Sequence, residues 1–229
     1  SGAMPYQNSS SNEIKILSPN SPYGRSYLQF HIDSHSFSTL RYPNDNDKPV
    51  DVPMSNAFVT IGNEIYFADT FPTDNLHSFS FQTNSFTPLN WPLPVGYSEN
   101  PCLAKSNDNA YIFILGGTND YVQYYDHFYI YDVGNQSLKA IGPKLPVAAS
   151  NFGCFVSSND YLYIIGGRLM PDINNTQNTM PSNQIWSLYV GDISDLVANE
   201  SQWTISNVTL PYSPQHPFVA ELNELIYII

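Results

Sequence analysis

Short apolar runs that end in a pair of glycines recur along this chain. Residues 111–118 read YIFILGGT, and residues 162–168 read LYIIGGR about fifty positions later. A further copy, LIYII at 225–229, stops before its glycines, and EIYFADT at 64–70 has Ala-Asp in their place. Runs rich in aromatic and β-branched residues favour strands. Self-similarity at this period predicts an array of equivalent β-units.

Alignment on the glycine pairs indicates four strands per unit, named a to d in chain order. The apolar run is strand b. A strand rich in small residues that ends in an Asn, Asp or Gly turn precedes it, as a tight hairpin requires; the copies are 54–63, 100–109, 150–160 and 216–224. A variable loop and a second hairpin, strands c and d, follow it; the copies are 27–43, 77–94, 127–146 and 184–211.

Four antiparallel strands per period of about fifty residues are typical of a β-propeller blade. The pattern resembles the kelch family, which carries a Gly-Gly pair after strand b, a Tyr in strand c and a Trp in strand d. The matching residues, to which the resemblance gives structural roles, are Gly116, Gly117, Gly166, Gly167, Tyr131, Tyr189 and Trp203. The resemblance implies an all-β fold, a kelch-type propeller of four-stranded antiparallel blades.

Counting blades gives the domain organisation. Residues 1–4 resemble a cleavage remnant, 5–24 are expected to be an N-terminal extension, and the propeller covers 25–229. Within it we expect about four blades, as a c–d hairpin, three complete blades and an a–b hairpin; their bounds are 25–43, 54–94, 100–146, 150–211 and 216–229. Three interpretations remain: part of a larger propeller with further blades, which is favoured, a four-blade ring closed by both termini, or a ring completed by a second chain.

The charge balance excludes some partners. The net charge is −12, with eight basic residues against twenty acids. A nucleic-acid backbone or an anionic membrane surface needs a basic face, and this chain cannot form one. No apolar run approaches the length of a membrane span.

The cysteines and the glycosylation motifs bear on location. Cys102 and Cys154 occupy the same position in strand a of neighbouring blades, so a disulfide between them is possible. The favoured interpretation is that they are two free cysteines, each a small buried residue. Five N-x-S/T motifs occur, but the Asn and Ser/Thr content predicts about four by chance. The acidity and the low lysine content favour an extracellular or cell-surface location, and a cytoplasmic location is the alternative. Whether the chain is glycosylated is left open.

The b–c loops are the expected binding surface. The second reads GGTNDYVQYYDH at 116–127, and it places aromatic side chains beside carboxylates, a combination that suits sugar stacking or a cationic group. The candidate ligand-binding residues are Asp120, Tyr121, Tyr124, Tyr125, Asp126 and His127. Arg168 in the third loop is the only arginine beyond residue 41, and it is a candidate anion anchor. Alternatively, the tyrosines pack the loop and Arg168 pairs with an acid.

No catalytic motif appears, neither a nucleophile elbow, nor a His-Glu-x-x-His helix, nor a phosphate-binding loop. The sequence therefore predicts a non-catalytic recognition module, without cofactor or metal, that binds a protein or peptide through its loops. A lectin-like propeller that binds carbohydrate at a cell surface is the alternative. A copper enzyme resembling galactose oxidase, which uses tyrosines, histidines and a Tyr–Cys crosslink, is a distant third.

Overall fold

The computed structural model describes residues 4–7, 13–18, 26–31, 36–41, 57–68, 75–83, 85–92, 100–119, 123–170, 179–198 and 200–229. These residues form an all-β fold of antiparallel sheets with two to four strands each, and one short helix.

The first sheet, sheet 1, contains four strands in chain order. They are β1 (Met4–Gln7), β2 (Glu13–Ser18), β3 (Ser26–His31) and β4 (Ser36–Arg41). The sequence predicted only the last two, as a c–d hairpin behind an extension. The structure differs because Glu13–Ser18, EIKILS, whose first four residues alternate polar and apolar, pairs along its whole length with β3. This run has no glycine pair, so the repeat did not reveal it.

Three further four-stranded sheets follow. Sheet 2 contains β5 (Phe58–Ile61), β6 (Glu64–Ala68), β7 (Asn75–Ser80) and β8 (Ser85–Pro92). The next strands are β9 (Cys102–Lys105), β10 (Tyr111–Leu115), β11 (Thr118–Asn119), β12 (Gln123–Tyr124), β13 (Phe128–Asp132) and β14 (Ser137–Ile141). Sheet 3 has the order β9-β10-β13-β14, and β11 and β12 pair separately.

Sheet 4 repeats this plan and a hairpin follows it. The strands are β15 (Ala148–Ser150), β16 (Gly153–Val156), β17 (Tyr161–Ile165), β18 (Arg168–Met170), β19 (Met180–Pro181), β20 (Ile185–Tyr189), β21 (Thr204–Ile205), β22 (Val219–Leu222) and β23 (Leu225–Ile228). Sheet 4 has the order β16-β17-β20-β21, whereas β15, β18 and β19 form a small three-stranded sheet. The helix α1 (Ile193–Val197) lies between β20 and β21 and begins at the cap Asp192.

The first strands of consecutive sheets lie side by side. β5 contacts β9, β9 contacts β16, and β16 contacts β22. We call these four the inner strands. Each one is an edge strand of its sheet, so neighbouring sheets meet along these strands.

Side-chain alternation in each sheet supplies two hydrophobic cores. Residues at every second position of β10 and β13 face sheet 2, and the intervening residues face sheet 4, because successive side chains in a strand point to opposite faces. The core between sheets 2 and 3 includes Tyr66, Leu76, Ile112, Ile114, Tyr129 and Tyr131. The core between sheets 3 and 4 includes Phe113, Leu115, Phe128, Leu162, Ile164 and Trp186.

A disulfide joins two inner strands. Cys102 in β9 and Cys154 in β16 are bonded, and their Cα atoms are 6.1 Å apart. The sequence favoured two free cysteines instead. The structure joins them because the inner strands of neighbouring sheets lie within disulfide reach.

The glycine pairs lie where one sheet touches the segment that leads into the next. Gly116 and Gly117 have φ of 56° and 107°, values that side chains disfavour. A Cβ on Gly116 would lie 2.7 Å from Cε1 of Phe152 and would also meet the Ala149 carbonyl. The glycines therefore permit a close approach that no other residue allows.

Replacing Gly116 by Ala is expected to be much more destabilising than replacing Gly62. Gly62 also has a positive φ, 58°, but a Cβ there would meet nothing within 4 Å. Gly62→Ala therefore costs only the backbone strain, about 1 kcal/mol. Gly116→Ala adds a clash with backbone and is expected to cost more than about 3 kcal/mol. Urea unfolding measures both, and equal losses would contradict the close approach.

Removing the disulfide is expected to lower the free energy of unfolding by about 4 kcal/mol, because it closes a long loop in the unfolded chain. The Cys102→Ala/Cys154→Ala double variant tests this by urea unfolding with and without reductant. The wild type should lose stability on reduction and the double variant should not. A wild type indifferent to reductant would show that the bond contributes nothing.

Candidate functional site

The predicted aromatic loop is largely internal. Tyr124 is 2% exposed and Tyr125 is 8% exposed, and Tyr125 belongs to the core between sheets 2 and 3. Of the two interpretations that the sequence left open, the burial of these two residues favours packing of the loop over an exposed aromatic surface. Asp120 and Tyr121 lie outside the described residues.

Asp126 and His127 are engaged with neighbours. Both carboxylate oxygens of Asp126 accept hydrogen bonds from Lys144 Nζ, at 2.9 and 3.2 Å. The ring of His127 stacks on Tyr125, with centroids 5.2 Å apart, and meets Tyr129 edge-on. Burial lowers the pKa of His127, although the Asp126 carboxylate opposes this effect. Asp126 is thus paired with a lysine, which leaves it a weaker partner for a cationic ligand.

Arg168 lies at the start of β18 and is half-buried. Its Nη2 donates to Oγ1 of Thr179 at 2.9 Å. Its Nε is buried and makes no hydrogen bond to the described part of the chain. The sequence left open whether Arg168 anchors an anion or pairs with a neighbouring acid. The ion pairs seen among the described residues do not include Arg168, so they give no support to pairing with an acid.

The residues assigned structural roles lie in three environments. Tyr131 is fully buried, and burial raises its pKa to about 12. Trp203 donates from Nε1 to the carbonyl of Pro143 at 3.1 Å, and it thereby connects sheet 4 to the segment after sheet 3. Tyr189 is 45% exposed and meets the ring of Tyr161 edge-on.

The short strands β11, β12, β15, β18 and β19 contact one another in succession, and we call these strands and the residues that flank them the rim. Three of its segments are hydrogen-bonded to one another: Tyr125 N donates to Gly117 O, Gly117 N to Ala149 O, and Ala149 N to Tyr125 O, at 3.0, 2.9 and 3.1 Å. The same type of contact recurs at sheet 4, where Gly167 N donates to Pro214 O at 2.8 Å. The b–c loop of one sheet is thus fixed to the d–a segment before the next.

The rim contains two polar residues that the sequence analysis did not select. Ser150 is 0% exposed and Asn151 is 5% exposed, and Ser150 Oγ and Asn151 Oδ1 make no hydrogen bond to the described residues. One signal could have drawn attention to this segment. An asparagine precedes strand a in two units, as Asn100 and Asn151, and both have left-handed backbones with φ of 55° and 59°.

A cavity of about 710 Å³ lies along the inner strands. Its walls are mainly apolar and include Phe58, Phe155 and Phe218. Several of its polar residues are hydrogen-bonded to neighbouring residues. Asn107 Nδ2 donates to Asp160 Oδ1 at 2.7 Å, Ser158 Oγ donates to Glu221 Oε1 at 2.9 Å, and Lys105 Nζ donates to Asn109 Oδ1 at 2.7 Å. The rim, by contrast, has segments fixed to one another by main-chain hydrogen bonds and exposed side chains at Gln123 and Met180.

Two properties of the described residues concern metals and membranes. No group of three or more His, Cys, Asp or Glu side chains there could hold a metal ion. Over the same residues, no helix is long and apolar enough to cross a membrane.

Comparison with known proteins extends only to the fold. No protein-family model and no curated protein matches the chain. Among solved structures, the chain is similar to that of YjhT, with a TM-score of 0.67 and 12% sequence identity, over 99% of this chain and 70% of that one. At this identity the likeness shows a shared all-β fold, and a fold alone does not determine a function.

Truncation of Tyr124 or Tyr125 to Ala is expected to destabilise the protein, because each removes a buried aromatic ring. We expect each variant to lose about 3 kcal/mol or more in free energy of unfolding. Tyr212, which is 56% exposed, is the matched control, and Tyr212→Ala is expected to change stability by less than about 0.5 kcal/mol. Urea unfolding of all three decides the matter. A Tyr124 variant as stable as the control would show that these rings do not pack the loop.

Proposed function

We propose that this chain is a non-catalytic recognition module of the kelch type, a β-propeller or a portion of one, that binds a protein or peptide partner through its rim. The repeated four-stranded sheets, the adjacent inner strands and the glycine pairs at sheet contacts support the propeller arrangement. The likeness to YjhT supports it at the level of the fold.

The observation that carries the recognition role is the hydrogen-bonded scaffold of the rim. Loops that recognise partners bind more tightly when they are already ordered, because less conformational entropy is lost on binding. Here the contacts among Gly117, Tyr125 and Ala149 hold three loop segments together before any partner arrives. The rim also has exposed side chains on this fixed backbone, including Gln123 and Met180.

A carbohydrate-binding role is the second candidate, and one specific observation favours it. Tyr161 and Tyr189 are 38% and 45% exposed and lie directly opposite each other on β17 and β20. Exposed aromatic faces on a sheet are suited to stacking against sugar rings. The copper-oxidase alternative loses support, because its crosslink needs a free thiol and the disulfide uses both cysteines of the chain.

The disulfide also bears on location. Structural disulfides persist in oxidising compartments and are rare in the cytosol. The Cys102–Cys154 bond therefore supports an extracellular or cell-surface location within this proposal.

Selection of displayed random peptides on the wild-type protein tests the recognition role. The rim variant Gln123→Arg/Met180→Arg changes two exposed rim residues. The control Leu138→Arg/Ile205→Arg makes the same kind of change on the outer strands β14 and β21, where both residues are also exposed. We expect the selected peptides to bind the rim variant at least about tenfold more weakly than the control, a loss of about 1.4 kcal/mol.

Two outcomes would contradict a peptide-binding rim. One is a selection that yields no peptides while a glycan array gives hits that Tyr189→Ala removes, which would favour the lectin-like role. The other is a set of peptides that the control variant weakens as much as the rim variant does.

A further inference from the structure

Two of the N-x-S/T motifs lie beside the outer strands of neighbouring sheets. Asn135-Gln136-Ser137 leads from the hairpin turn into β14 of sheet 3, and Asn207-Val208-Thr209 follows β21 of sheet 4. In each motif the asparagine and the residue that carries the hydroxyl are exposed, as an acceptor for a sugar must be. The other three motifs, at Asn8, Asn174 and Asn199, lie outside the described residues.

The geometry of the first motif leaves the asparagine amide able to accept a substituent. Asn135 N donates to Oδ1 of Asp132, and Asn135 Nδ2 donates to Oδ2 of the same carboxylate, both at 2.9 Å. A primary amide nitrogen carries two hydrogens, so a sugar can replace one while the other keeps the bond to Asp132. The turn therefore does not have to unfold to carry the sugar.

The second motif lies in a loop that is fixed on both sides. Ser206 N donates to the carbonyl of Ile185 at 2.9 Å, and Leu210 N donates to the carbonyl of Asn183 at 2.8 Å. The three residues between these two hydrogen bonds, 207–209, are all exposed. The fold thus keeps this motif at the surface.

Both motifs adjoin exposed apolar side chains on the outer strands. Leu138 and Ile141 of β14 are 37% and 60% exposed, and Ile205 of β21 is 51% exposed. Leu138 is three residues from Asn135 and Ile205 is two residues from Asn207, so the Cα atoms are at most about 11 Å and about 7 Å apart. A bulky group on either asparagine therefore reaches these side chains.

Edge strands with apolar side chains favour pairing with another chain unless proline, charge or a covering group prevents it. The outer strand of sheet 2, β8, contains Pro88 and Pro92, which have no N–H to donate to a further strand. β14 and β21 contain no proline, and their only charged residue is Lys139. The two outer strands without proline are thus the two that adjoin an exposed motif.

We propose that Asn135 and Asn207 are N-glycosylation sites, and that their oligosaccharides cover the outer edges of sheets 3 and 4. The proposal goes beyond the recognition function and rests on the extracellular or cell-surface location proposed above. In the reaction, Nδ2 of each asparagine forms a bond to the anomeric carbon of an oligosaccharide that a lipid diphosphate carries. The bond from that carbon to the diphosphate oxygen breaks, and the amide proton leaves with the lipid diphosphate.

Mass spectrometry of the whole chain, produced in cultured human cells behind a cleavable secretion signal, tests the modification site by site. Peptide N-glycosidase F in heavy-oxygen water converts each glycosylated asparagine into a labelled aspartate. We expect most molecules, pooled from cells and medium, to carry the label at Asn135 and Asn207. Ser137→Ala and Thr209→Ala, which remove only the acceptor hydroxyls, are expected to abolish it at their own motif, and Ser137→Thr and Thr209→Ser to retain it.

The covering role is tested by self-association of the same proteins. We expect the Ser137→Ala/Thr209→Ala variant to lose at least about half of its monomer fraction on concentration, measured by size-exclusion chromatography with light scattering, because its outer edges are uncovered. The Ser137→Thr/Thr209→Ser variant is expected to stay monomeric like the wild type. Adding Leu138→Arg/Ile205→Arg to the unglycosylated variant is expected to restore the monomer, because charge on an edge strand prevents pairing.

A second pair of arginines separates an effect at the edges from an effect of charge alone. Val197 and Tyr212 are 50% and 56% exposed and lie outside the outer strands. Val197→Arg/Tyr212→Arg in the unglycosylated variant changes the net charge equally and is expected not to restore the monomer.

The outcomes decide the proposal. Unlabelled Asn135 and Asn207 in the wild type would overturn it, whatever the other motifs carry. Labelled asparagines together with an unglycosylated variant that stays as monomeric as the wild type would refute the covering role. Equal rescue by the two arginine pairs would also refute it, because net charge rather than the outer strands would then control association.

Discussion

Backbone contact between the glycine pair of one sheet and the segment entering the next is the interaction on which the rest of this structure depends. Gly117 N donates to Ala149 O at 2.9 Å, and Gly167 N donates to Pro214 O at 2.8 Å. Both glycines have left-handed backbones, and at Gly167 a Cβ would lie 2.6 Å from the Ser150 carbonyl. A hydrogen bond between two main chains brings the neighbouring segments closer together than packed side chains would. The same type of hydrogen bond occurs in both copies of the glycine pair.

The other end of the inner strands is joined by polar side chains. Asn107 Nδ2 donates to the carbonyl of Ser157 at 2.9 Å, and one sheet further on Ser158 N donates to Oε2 of Glu221 at 2.7 Å. Sheets 3 and 4 are thus fixed at both ends of their inner strands, with a hydrophobic core and a disulfide in between. Sheet 4 and the segment that contains the last hairpin are fixed at the same two ends. Contacts at both ends of the inner strands restrict sliding of one sheet past the next. They therefore also restrict movement of the rim segments that these sheets carry.

The sequence predicted the parts of this fold that repeat and missed those that depend on pairing between distant segments. The apolar runs and their glycines indicated β10 and β17, because local composition is sufficient to define a strand of this kind. Sheet 1 was only half predicted, because β2 lacks the repeated phrase and is identified by its pairing with β3. Tyr125 was a candidate contact residue, and its burial follows from a core that it shares with Ala57 and Tyr66, which lie far along the chain, so local composition does not encode it.

The b–c loops remain the proposed binding surface, but the acidic residue of the second loop that the structure describes is already paired. Sequence reasoning emphasised acidic residues beside tyrosines, whereas Asp126 is paired with Lys144 and both Tyr124 and Tyr125 are buried. A single guanidinium in a chain with a net charge of −12 does not attract anions over a long distance, since the surrounding acids dominate the field. Under the proposed recognition function, binding at the rim therefore depends on short-range geometry. The acidic surface then adds selectivity within that proposal, because it repels segments that carry many carboxylates.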